Sequence, residues 1–152
     1  MVPRTDTILE MGANTAAIAV GRLLEVRASA GYRTASDVDT LFDKIDEEVA
    51  KLPPRTAIVT VVDWRTCPIM NPDASERILQ RITAMNGRTE RSAALAAEDA
   101  PSAVLQFMRL IRESKLEDRR MFFKPQKLLT WLDGVLSKAE RQRLRVFLGS
   151  HE

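Results

Sequence analysis

The stretch AIVTVVDWRTCPIMNPDASERI, Ala57–Ile78, decides how the rest of the chain reads. Its first part is β-branched and almost continuously apolar, the pattern of a central strand covered on both faces. The run stops at Asp63-Trp64-Arg65-Thr66-Cys67-Pro68. Asn71-Pro72 then opens a helix, because asparagine caps helix N-termini well and proline suits the first helical position. Ile78, Leu79, Ile82 and Met85 form its apolar face, and Asn86-Gly87 ends it.

Working outward, TASDVDTLFDKIDEEVAKLPP precedes this unit with Val38, Leu41, Phe42, Ile45 and Val49 at helical spacing. Thr34 or Ser36 can cap it, Asp37 and Asp39 suit the positive end of its dipole, and Pro53-Pro54 stops it. Before it, TAAIAV and GRLLEVRAS read as two strands turned at Gly21-Arg22. In the second, Leu24, Val26 and Ala28 alternate with Glu25 and Arg27, the period of a half-buried strand. Residues 1–14 are a weakly patterned leader in which TILEM has strand character.

Downstream, RSAALAAED reads as a short strand and PSAVLQFMRLIRES as a helix with Val104, Phe107, Met108 and Ile111 inward. RRMFF is a strand and PQKLLTWLDGVL a helix. Ser137 and Glu140 have capping-box spacing before a last helix, KAERQRLRVFL. The expected fold is α/β, a mixed and mostly parallel sheet of roughly four to five strands, with an initial β-hairpin and roughly four to five helices. One domain is expected over 15–148, followed by a tail, 149–152.

Composition narrows the function classes. Hydrophobic residues make up 45% of the 152-residue chain and charged residues 29%, a globular balance rather than a disordered one. A net charge of +2 is low for a dedicated nucleic-acid binder, and aromatics, at 5%, offer no stacking platform. Nucleic acid is therefore not an expected partner. No apolar run reaches the ~20 residues of a membrane span, and MVPRTDTILEMG lacks a signal-peptide core. With one cysteine no internal disulfide can form, and a cytoplasmic location is expected. The single histidine, His151, leaves little room for imidazole catalysis or a histidine metal site. No glycine-rich phosphate loop is present, and no cofactor is expected.

The element order, carried by GRLLEVRASAGYRTASDVDTLFDKI, the strand ending VVDWR, and RRMFFKPQKLLTWL, resembles the STAS domains of anti-sigma-factor antagonists. It is similar in particular to bacterial SpoIIAA-like proteins, over roughly Ala16 to Leu136. The resemblance implies a regulatory module that binds a partner and is not an enzyme. In the phosphorylated members the central strand ends in Asp, then Ser, then Ser or Thr, then Gly, and the first serine takes the phosphate. Here Asp63 fits the acidic position, but Trp64 and Arg65 stand where the hydroxyls belong and no glycine follows. The phosphoswitch does not carry over, and no phosphorylation site is expected.

The candidate site is therefore the end of the central strand: Asp63, Trp64, Arg65, Thr66 and Asn71. In open α/β sheets ligands gather at the carboxyl ends of strands, and Arg65 could contact a carboxylate or phosphate. Alternatively Asp63 and Arg65 pair with neighbours while Trp64 covers the core. Cys67 lacks a base and is expected to be passive. Glu98-Asp99 is expected to cap the helix that begins at Pro101. Asp37, Asp39, Asp43, Asp46, Glu47 and Glu48 lack calcium-loop spacing and are expected to form a solvated face. Arg109, Arg112, Lys115, Arg119 and Arg120 form one basic group, and Arg141, Arg143 and Arg145 another. The expected partner is a protein or a second copy of the chain. The alternative is a carrier that holds a small anionic or lipid-like ligand between sheet and helices. Docking on a membrane surface is not favoured, because one basic amphipathic helix without anchors is weak membrane evidence.

Overall fold

A computed structural model describes residues 14–149. A hairpin comes first: β1 (Asn14–Ala17) pairs antiparallel with β2 (Leu23–Ala28), in the register Asn14↔Ala28 to Ala17↔Glu25. Gly21 takes the left-handed conformation at the turn (φ 60°). Then follow α1 (Ala35–Ala50), β3 (Ile58–Asp63), α2 (Pro72–Ala84), a 3-10 turn (Asn86–Arg88), β4 (Thr89–Leu95), α3 (Pro101–Glu113), β5 (Arg119–Phe122), α4 (Pro125–Leu132) and α5 (Lys138–Leu148).

The five strands lie in chain order, β1-β2-β3-β4-β5, and all pairs after the hairpin are parallel. Each crossover steps one strand further in the same direction. Crossovers of one hand then place α1, α2 and α3 on one face of the sheet. The core divides accordingly. Leu24, Val26, Ile58 and Ala94 pack with α1–α3 through Val38, Phe42, Ile78 and Phe107. Leu23, Val59, Val61, Ala93 and Leu95 pack on the opposite face with Leu128, Leu132, Leu144 and Phe147 of α4 and α5. Both faces of β3 are thus covered, which is why its sequence is mostly apolar.

The expected α/β architecture is present, with hairpin, mixed sheet and five helices. Thr34 caps α1, Asn71 caps α2, and Ser137 and Glu140 form the full capping box of α5. TILEM lies outside the described residues.

Four expectations need correction. β2 is not half-exposed: Glu25 is buried against Arg143 of α5, with two bonds of 2.6 and 2.8 Å, and Arg27 lies over the Phe147 ring. Glu98-Asp99 does not cap α3, whose N-cap is Ala100 without a side-chain bond; Glu98 instead faces Lys124 at 3.6 Å. Met108 points outward and is 48% exposed, because the inward face of α3 is Ala103, Phe107 and Leu110. The acidic side of α1 is not only solvated: Asp39 pairs with Arg77 and Arg81 of α2, and Arg81 also reaches Asp43 and Asp46.

Candidate functional site

Alternation along β3 sends successive side chains to opposite faces, and this decides the fate of the strand's end. Asp63 faces α5 and Trp64 faces α3. The last ladder bond runs from the Trp64 N–H to the Leu95 carbonyl at 2.8 Å. A tight turn follows, closed by the Cys67 N–H on the Trp64 carbonyl at 3.0 Å.

Asp63 is buried and fully engaged. Oδ2 accepts from Arg27 Nη1 at 2.6 Å and from Arg65 Nη2 at 3.0 Å, and Oδ1 accepts from the N–H and Nε of Arg65 at 3.0 Å each. Both arginines go on to the end of α5: Arg27 Nη2 donates to the Phe147 carbonyl at 2.7 Å, and Arg65 Nη2 to the Leu148 carbonyl at 3.1 Å. Cations at a helix C-terminus satisfy its free carbonyls and oppose its dipole. The three side chains therefore form a bracket that fixes α5 to the carboxyl edge of the sheet.

Trp64 is buried on the other face, stacked on Phe107 with ring centroids 4.4 Å apart. Asn71 accepts the Ala74 N–H at 2.9 Å as N-cap and donates to the Arg33 carbonyl. Of the five residues singled out in sequence, Asp63 and Arg65 are brought together, Trp64 is turned to the opposite face, and Thr66 and Asn71 remain exposed. The loop between is rigidly held. Met70 exchanges two 2.8 Å bonds with the Gln106 side chain, and Gly31 (φ 73°) packs under Pro68, where an added Cβ would stand 2.7 Å from Cγ and Cδ. Burial pushes the Cys67 thiol up to about 12, so it is protonated and unreactive at neutral pH.

Three features went unnoticed in the sequence. The first is an apolar surface. Ile69 is 58% exposed and stands beside Pro68 over a cleft of about 300 Å³ that reaches the first turn of α3. Leu105 (69% exposed) and Met108 continue outward from Pro101 at i, i+4 and i+7. The signal was present: α3 is apolar over more than one face, more than a single core contact requires.

The second is a partly open cavity of about 50 Å³ between the sheet and α1–α3. Its floor follows from small residues on β4: Ser92 and Ala94 face the helices, beside Thr60 and Val62 of β3. The third is Arg119. Sequence grouped it with surface cations, but only 8% of it is exposed and it lines this cavity. Its bonds go to the Asn86 amide oxygen and the Ser114 hydroxyl (2.8 Å each) and to the Ile82 carbonyl (3.3 Å), all neutral acceptors. Burial pulls its pKa down to about 10.

A groove of about 750 Å³ lies at the β1 edge beside α1 and is lined by Asn14, Ala30, Arg33 and Lys44 among others. Among the described residues there is no cluster of three metal-ligating side chains, and no helix is long and apolar enough to cross a membrane. Compared with family models, curated proteins and solved structures, the chain matches none.

Proposed function

We propose that the chain is a STAS-like protein-interaction module of a bacterial cytoplasm, non-catalytic and without the usual switch serine. Its partner surface is the loop Arg65–Asn71 together with the outer stripe of α3. One observation carries the reading: Ile69, Pro101, Leu105 and Met108 are presented to solvent from a loop and a helix that are both held rigidly. A contiguous apolar surface with a fixed backbone is suited to docking, because little ordering entropy is lost on binding. The chemistry of the strand's end also favours binding over turnover. Asp63 is occupied by two arginines, and the only thiol is buried and protonated.

Arg65 is a poor contact to test, because replacing it would release α5 as well as any partner. The informative variants are Ile69→Ser and Leu105→Ser, with Val146→Ser, an exposed apolar residue on α5, as the control. A photo-crosslinker placed at Thr66 in the host should capture a defined protein, or a second copy of the chain. The Ile69 and Leu105 variants should lose that capture while the Val146 variant keeps it. Capture insensitive to Ile69 and Leu105, or equally lost with Val146→Ser, rejects the reading.

A further inference from the structure

The cavity under the crossover helices has a consistent chemistry. Register pairs Thr60 with Ser92 and Ser92 with Arg119, so the three form one row across adjacent strands β3, β4 and β5. All three line the same cavity, and Trp64 and Tyr32 line it further along. The Thr60 hydroxyl and the Trp64 indole N–H are buried with no hydrogen-bond partner. The Tyr32 hydroxyl interacts with the indole but does not reach hydrogen-bond geometry. An indole N–H and a guanidinium can only donate, and a hydroxyl can donate or accept. The lining is largely apolar, and within it these donors stand together with one positive charge whose hydrogen-bond partners are all neutral. Buried arginines are ordinarily paired, since a lone buried charge is costly.

We propose that this cavity is a binding site for a small monoanion, of halide or formate size, held by the Arg119 guanidinium and the Ser92 and Thr60 hydroxyls. Size sets the class. About 50 Å³ open to the centres of water molecules is several times the ~10–15 Å³ that a single water needs, enough for a few waters or one small ion. A nucleotide is too large for it. A halide or a one-carbon carboxylate fits, and it supplies both the missing charge and an acceptor for the unpartnered hydroxyl. The site lies inside the sheet–helix interface and does not depend on the rim surface proposed above.

The test uses the full chain. Thermal unfolding is followed while sodium chloride or sodium formate replaces sodium gluconate at constant ionic strength, gluconate being too large for the cavity. A monoanion that binds only the native chain raises Tm with the logarithm of its concentration above Kd. Crystals soaked in sodium bromide should give an anomalous peak at hydrogen-bond distance from Arg119. Arg119→Met should remove the anion dependence. Thr60→Val with Ser92→Ala, which keeps the charge and most of the volume, should weaken the apparent affinity about tenfold for each charge-assisted bond lost. If the cavity holds water alone in the bromide soak, the inference is overturned. It is also overturned if chloride and formate raise Tm equally in the wild type and in both variants.

Discussion

Replacing Asp63 tests whether the end of the central strand is an anchor. Asp63→Ala removes one carboxylate that accepts four bonds, from Arg27 Nη1 and from the N–H, Nε and Nη2 of Arg65. Breaking a buried ion pair by deleting one partner typically costs 3–5 kcal/mol, roughly, because a buried charge is left uncompensated. The arginine side chains are 35% and 34% exposed, so water takes over part of their solvation and the lower end applies. The expected loss is about 3 kcal/mol, or roughly 6–12 °C in Tm for a chain of this size. The loss should fall on α5, since the freed arginines no longer hold the Phe147 and Leu148 carbonyls. Urea unfolding followed by circular dichroism gives the total. Hydrogen exchange in the last turn of α5 gives its location. A double-mutant cycle of Asp63→Ala with Arg65→Ala isolates the pair, with a coupling expected near 1–3 kcal/mol, roughly. Asp63→Asn keeps the volume and separates charge from packing. A change within about 0.5 kcal/mol, or no coupling to Arg65, would refute the bracket and leave α5 attached by its apolar contacts and by the bonds of Arg143 and Glu140.

Three further outcomes are expected. Gly31→Ala adds a left-handed backbone cost of about 1 kcal/mol to a 2.7 Å clash with Pro68, so about 2–4 kcal/mol is lost by urea denaturation. Pro68→Ala in the same chain should recover the clash but not the backbone cost, and an unchanged deficit would refute the contact. At Glu140 burial favours the neutral carboxyl, but the N–H groups of Arg22 and Ser137 outweigh it and hold the group below its ordinary 4.5. Its stabilisation is therefore complete above 4.5 and is lost as pH falls through the lower folded value. Glu140→Gln should be less stable than wild type by about 1–2 kcal/mol at neutral pH and should show a shallower loss of stability towards about pH 3. Parallel pH profiles for the two proteins would exclude this. Finally, raising the Cys67 thiol from 9.0 to about 12 lowers its thiolate fraction by roughly a thousandfold at neutral pH. Iodoacetamide should label it slowly in the native chain and rapidly in urea, and equal rates would show the thiol to be accessible.

What could be read from sequence was what local rules determine. Asn71-Pro72, Thr34 and the Ser137/Glu140 spacing placed helix starts because capping is decided within a few residues. The β-branched run at Ile58–Asp63 announced a covered strand because burial on both faces removes polar alternation. The errors arise where the partner lies far along the chain. Glu25 looks solvent-facing until Arg143, 118 residues away, is folded against it. Arg119 looks like one more surface cation because nothing nearby in sequence reveals that its neighbours across the strands are Ser92 and Thr60. The rim is partly legible: an acid and a base two residues apart read as either a site or a pair. Only the position of α5 shows what the pair holds.

Arginine far outnumbers lysine in this sequence, and the structure gives that surplus a role. On the α4–α5 face, arginines tie the C-terminal helices to the sheet through main-chain carbonyls: Arg22 to Val135, Arg91 to Trp131, Arg27 to Phe147 and Arg65 to Leu148. A planar fork can hold a carbonyl and a carboxylate at once, which the compact lysine ammonium does less well. Arg22 also meets Glu90, and Arg27 and Arg65 share Asp63. Arg91 lies over the Trp131 ring and stays partly in water. In each case the charge is answered by a carboxylate, an aromatic face or solvent. Arg119 is on the other face and has none of these among its hydrogen-bond partners: an amide oxygen, a hydroxyl and a carbonyl. A chain that compensates its arginines so consistently on one face gives weight to Arg119, the one buried arginine among the described residues, which meets the C-terminal ends of α2 and α3 but no carboxylate. That contrast, more than the cavity's volume, is the reason to look for an anion there.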